Sequence, residues 1–206
     1  MKLELIQTNT ELFSAEFSVQ RKGETLGTFK LSGMLGSREG VWSGALMNEH
    51  YSMERISKVN DKKAYRPYEL SLESSSTGVV YQTEYNGGFF NKFSFNKLRL
   101  FGREYEEFSV SMGKEGKKSP VYFGNHQIAL IEKDSVIYNE LNHYHIFAID
   151  EESAKIAVIF ALYNYTLGPY NSGEKAVQSV RKTTVITTNK TLKAKYNPNF
   201  KSFIEE

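Results

Sequence analysis

The sequence contains no cysteine, which excludes a disulfide framework, a thiol nucleophile and a thiolate metal site. Long hydrophobic runs are missing too. The longest apolar stretch is too short to cross a bilayer, and Met1-Lys2-Leu3-Glu4-Leu5-Ile6-Gln7 lacks the apolar segment of a signal peptide. A soluble, cytoplasmic protein is expected. Charge of one sign is scarce: a net charge of +2 and a pI near 8.5 are too weak to require nucleic acid or an anionic membrane as a partner. No nucleic-acid partner is expected. No glycine-rich loop runs into Lys-Ser or Lys-Thr, so phosphate is not cradled in the P-loop manner, and no nucleophile elbow occurs. There is no internal repeat of fixed period and no low-complexity segment.

What is present leans toward β-structure. Of 206 residues, 14 are Phe and 13 are Tyr, types that favour pleated, half-buried surfaces. Alternation starts early: Phe13, Ala15, Phe17 and Val19 interleave with Leu12, Ser14, Glu16 and Ser18, placing the apolar face on odd positions. Strands follow over Gly27 to Leu35, Val41 to Met47, Tyr68 to Leu72 and Val79 to Tyr85, with His50 to Ile56 readable as a strand or a short helix. Glycine-bearing turns at Gly36 to Gly40 and Asn86-Gly87-Gly88 suit hairpins. In the aromatic run Phe89 to Phe101, Phe93 and Phe95 share one parity and Leu98 and Leu100 the other, which predicts a bulge or turn near Asn96. Further alternation covers Glu107 to Met112, Gln127 to Ile131, Ser135 to Asn139 and Tyr144 to Ile149. Ala176 to Thr188 reads as one more strand. One domain is expected over residues 1–188, and residues 189–206 form a basic tail, weakly ordered or docked on the surface.

Among these strands lies one convincing helix, residues 153–165. Asp150 can cap it, Glu151 and Glu152 complement its positive end, and Gly168-Pro169 stops it. Ala154 to Tyr163 is apolar on nearly every side except at Lys155. A helix of that kind must be buried all round, and the only material available to bury it is β-sheet. Its rise of roughly 20 Å matches strands of about six residues, so the expected fold is mainly β, an antiparallel barrel enclosing a central hydrophobic helix. Lys155 would snorkel to one mouth, and Tyr163 and Tyr165 would offer hydroxyls to the other rim.

The order of strand, acidic turn and all-round apolar helix over Tyr144 to Leu162 resembles the closing element of the tubby-like superfamily, which includes tubby C-terminal domains, phospholipid scramblases and LURP-one-related proteins. The upstream meander is compatible from Phe29 onward. The resemblance implies a barrel of about twelve strands around the helix. It also implies that the segment following the helix is an addition on the outside. The basic residues with which tubby proteins bind phosphoinositides do not align onto named positions, so that activity is not carried over.

Two constellations could carry chemistry. His143 and His145 stand two apart on a strand, so both imidazoles face one side, and a cupin-like metal site uses His-x-His with a nearby carboxylate. Asp150 and Glu151 follow closely but are better explained as helix-start residues, which leaves rim or surface histidines as the plainer reading. Lys92, Lys97, Arg99 and Arg103 punctuate the aromatic run, a pattern that suits ligand or membrane contact or, more simply, outward charges neutralised across a hairpin by Glu104, Glu106 and Glu107. The leading expectation is a non-enzymatic binding or regulatory domain, with lipid headgroups or another protein as partner and no cofactor. The alternatives are a cupin-like or other β-barrel metalloenzyme using His143 and His145, and a lipocalin-like small-molecule carrier.

Overall fold

The period-two alternation of the sequence becomes twelve strands in the computed structural model, which describes residues 1–11, 14–33, 40–86, 92–110, 116–134, 141–167 and 195–204. These are β1 (Lys2–Glu11), β2 (Ser14–Arg21), β3 (Glu24–Ser32), β4 (Val41–Leu46), β5 (Glu49–Arg55) and β6 (Tyr65–Leu72). They continue as β7 (Ser75–Asn86), β8 (Lys92–Leu100), β9 (Arg103–Glu107), β10 (Lys117–Phe123), β11 (His126–Lys133) and β12 (His143–Ala148). Each strand pairs antiparallel with its neighbours in sequence, and β12 pairs with β1, so the meander closes into a barrel with no free edge.

The two ends of the barrel differ. At one end, pairs of central residues make two-residue hairpins with φ above zero: Lys22-Gly23 (51° and 85°), Met47-Asn48 (52° and 68°), Glu73-Ser74 (48° and 65°) and Phe101-Gly102 (49° and 75°). Such turns match the right-handed twist of the flanking strands. At the other end residues 12–13 join β1 to β2, and the remaining connections are longer, spanning residues 33–40, 56–64, 87–91, 108–116 and 134–142.

After β12 the chain turns at Ile149-Asp150 and enters α1 (Glu151–Leu167), two residues longer at each end than the sequence predicts. The Asp150 carboxylate accepts the Ser153 amide at 2.8 Å, the cap its position implies. Lys155 meets Glu49 at 2.9 Å beside the tight turns, whereas the Tyr163 hydroxyl donates to the Arg66 carbonyl at 2.8 Å at the far rim. The helix therefore threads the barrel from end to end. Ala154 and the whole run Ile156 to Tyr163 are buried, in one cluster to which every strand contributes at least one apolar side chain. Phe17, Trp42 and Tyr165 pack edge to face with centroids 5.0 to 5.9 Å apart. The cavity among Phe29, Tyr51, Ile159 and Leu162 measures about 10 Å³, room for a single water.

Several expectations need correction. β8 pairs with β7 and β9 in unbroken register, with no bulge at Asn96. The parity change instead separates two faces: Asn96 and Leu98 are buried inside, while Phe93 stacks on Tyr85 and Phe95 packs near Phe108 and Tyr122 outside. The strand read from Glu107 ends there; the Val110 amide still donates to the Lys118 carbonyl of β10 at 2.8 Å, but Phe108 and Val110 turn to that outer cluster with Tyr196. Of the two readings of His50 to Ile56 the strand holds, as far as Arg55, and the Met1 to Gln7 stretch, read only for targeting, supplies most of β1 from Lys2 onward. The strands expected over Ser135 to Asn139 and Ala176 to Thr188, the Gly36 to Gly40 and Asn86-Gly87-Gly88 turns and the Gly168-Pro169 stop fall wholly or mostly outside the described residues.

The end of the chain lies on the outside of the barrel. Lys195 donates to the Gly124 carbonyl at 2.7 Å and stands 4.2 Å over the Tyr122 ring, Phe200 is buried, and Lys201 pairs with Glu132 at 2.9 Å.

Candidate functional site

On β12 the alternation that sends Tyr144, Ile146 and Ala148 into the core sends His143 and His145 outward. The register of the closing seam then decides their neighbours. Glu4 of β1 lies directly opposite His145, and beyond β11 the Asp134 amide bonds to the His143 carbonyl at 3.0 Å. Two carboxylates thus flank two imidazoles whose centroids are 4.3 Å apart.

The four side chains divide the ring nitrogens between them. Glu4 Oε2 is 3.7 Å from His143 Nε2 and Glu4 Oε1 is 3.9 Å from His145 Nδ1. Asp134 takes the opposite nitrogens, at 3.4 Å from His143 Nδ1 and 3.2 Å from His145 Nε2. His143 Nε2 is buried and has no hydrogen-bond partner among the described residues. Burial, and after it the neighbouring His145, hold the His143 pKa below the ordinary histidine value, against the opposing pull of Asp134 and Glu4. Burial thus favours the neutral imidazole of His143, the form that carries a lone pair. Glu132, also opposite His145, is engaged elsewhere, by Lys201 at 2.9 Å and Lys118 at 3.8 Å.

Of the basic residues of the aromatic run, Lys97 and Arg99 point outward from β8, while Arg103 opens β9 at the barrel mouth beside α1. Lys97 meets Glu104 at 2.6 Å and Glu106 at 3.8 Å, Arg99 meets Glu104 at 3.0 Å, and Arg103 meets Glu152 at 3.0 Å. Each of these three cations has a carboxylate partner, two of them across the β8–β9 hairpin. Lys92 opens β8 opposite Asn86, and its side chain is outside the described set. Lys155, at the barrel mouth, is held by Glu49 and by Glu151 at 3.0 Å.

Sequence reasoning did not single out Glu4, Asp134 or a groove of about 220 Å³ lined by Lys2, Glu4, Gln20, Arg21, Lys22 and Gly23. Lys2, Arg21 and Lys22 are exposed and make no ion pair among the described residues. The alternation of Lys2 and Glu4 with Leu3 and Leu5 was the available signal for β1, but which strand lies against β12 depends on barrel closure.

Comparison with known protein families, curated proteins and solved structures finds no match for this chain. Among the described residues, no helix is long and apolar enough to cross a membrane.

Proposed function

We propose that the chain is a non-enzymatic binding or regulatory domain of tubby-like architecture that works in the cytoplasm from its outer surface, with anionic lipid headgroups as the ligand. The observation that carries this reading is the filled barrel: α1 occupies the axis, and the cavity beside Ile159 has room for only about 10 Å³. A ligand of ordinary size needs several hundred Å³, so a filled axis favours the exterior over a carrier's interior. On that exterior Lys97, Arg99 and Arg103 are matched by carboxylates, whereas Lys2, Arg21 and Lys22 around the β1–β2 groove are not. The groove is the better cation source for a headgroup.

Flotation with vesicles containing anionic lipid tests this. Binding should occur at low salt, weaken at physiological salt as exposed charges are screened, and be lost in Lys2→Glu/Arg21→Glu/Lys22→Glu but not in Arg99→Glu. Absence of flotation would overturn the lipid reading and turn the search to a protein partner. Stoichiometric uptake of an apolar dye by the folded protein would overturn the exterior reading itself.

A further inference from the structure

We infer that Glu4, His143 and His145 form a binding site for a divalent transition-metal ion of the zinc class on the outer seam between β1 and β12, with Asp134 orienting both imidazoles. Each of the three side chains offers a ligand atom, and these atoms all lie within 4.8 Å of one another. Ligands about 2.1 Å from a tetrahedral zinc ion are about 3.4 Å apart. The separations of 3.7 and 3.9 Å between the Glu4 oxygens and His143 Nε2 and His145 Nδ1 need only a small contraction to reach that value.

The way the nitrogens are shared gives the site its direction. A metal-bound imidazole characteristically presents its second nitrogen to a carboxylate, which fixes tautomer and ring orientation. Here Asp134 stands beside the second nitrogen of both rings, at 3.4 and 3.2 Å, on the side away from Glu4. The nitrogen facing Glu4 from His143 is the buried one that lacks a hydrogen-bond partner among the described residues, a costly arrangement for a polar atom unless something engages it.

Two imidazoles and one carboxylate select the borderline ions, zinc, cobalt, nickel and copper, over magnesium or calcium, which prefer oxygen. Three protein ligands leave a fourth position facing outward, since Glu4 is 39% exposed. All three ligands sit on paired strands, so little ordering is needed on binding. The site shares Glu4 with the headgroup groove but requires no lipid, and its two imidazoles lie outside that groove, so metal uptake is read without vesicles.

The direct experiment is titration of the untagged full chain with cobalt(II) followed by zinc(II). One cobalt per chain should bind with the strong visible absorption of a tetrahedral site, and zinc should displace it. Glu4→Gln, His143→Ala and His145→Ala should each abolish that spectrum. Asp134→Asn should weaken zinc binding about 10- to 100-fold, and His50→Ala/His126→Ala should leave it unchanged. A wild-type chain without the tetrahedral spectrum would overturn the site. So would equal zinc binding by folded His143→Ala/His145→Ala and wild-type chains.

Discussion

Lys155 is the one charged side chain within the apolar stretch of α1, and the barrel deals with it at the mouth. Glu49 and Glu151 reach it at 2.9 and 3.0 Å, and the Tyr51 hydroxyl donates a short hydrogen bond to Glu49. Tyr51 first, then Lys155, hold the Glu49 carboxyl below its usual pKa. A carboxylate with a lowered folded pKa contributes stability that is complete above its unfolded value and is lost as pH falls through the folded one. Glu49→Gln should therefore be less stable than wild type near neutrality, with the gap closing on acidification. Urea midpoints measured from about pH 6 to about pH 3 check this. A gap that stays constant with pH would contradict it. His143 and His145 were readable as a same-face pair because strand period alone puts i and i+2 together. Glu4 was not, since it lies more than a hundred residues away, and only the β1–β12 register places it opposite His145.

Among the elements, α1 was the most legible, because its cap, acidic first turn and all-round apolarity agree with one another. Its burial makes a sharp expectation. Ile159 is 4% exposed, so Ile159→Asp places an unpaired charge in the packed axis and should cost several kcal/mol. Circular dichroism should show an unfolded or aggregated chain, and a folded variant of native stability would mean that the helix is not central. The hairpins were less legible. Met47-Asn48 and Glu73-Ser74 adopt positive φ at both residues without a glycine, because sheet twist imposes the turn on residues that do not prefer it. In β8 the outward aromatics Phe93 and Phe95 imitated a core face, since Phe95 packs against an outer cluster of Phe108, Val110 and Tyr122 to which Tyr196 also adds. That packing is tertiary, and no local pattern encodes it.

For the whole molecule, the sequence carried the architecture through one argument: a helix with no polar face needs an all-round wall, and only strands were available to build it. The closed twelve-strand meander supplies that wall, with an apolar side chain from each strand in the one cluster that buries α1. Binding at the headgroup groove or at the histidine seam is then an event on the outside of a filled barrel; the sequence showed the histidine pair but not Glu4 beside it, because closure of β1 on β12 places it there. The central claim is that α1 is the axis of the barrel, and native-state hydrogen exchange tests it most directly. Amides from Ile156 to Tyr163 should exchange only through global unfolding, with the same free energy and denaturant dependence as the slowest strand amides. Exchange of that segment by local fraying, well ahead of the strands, would contradict the account.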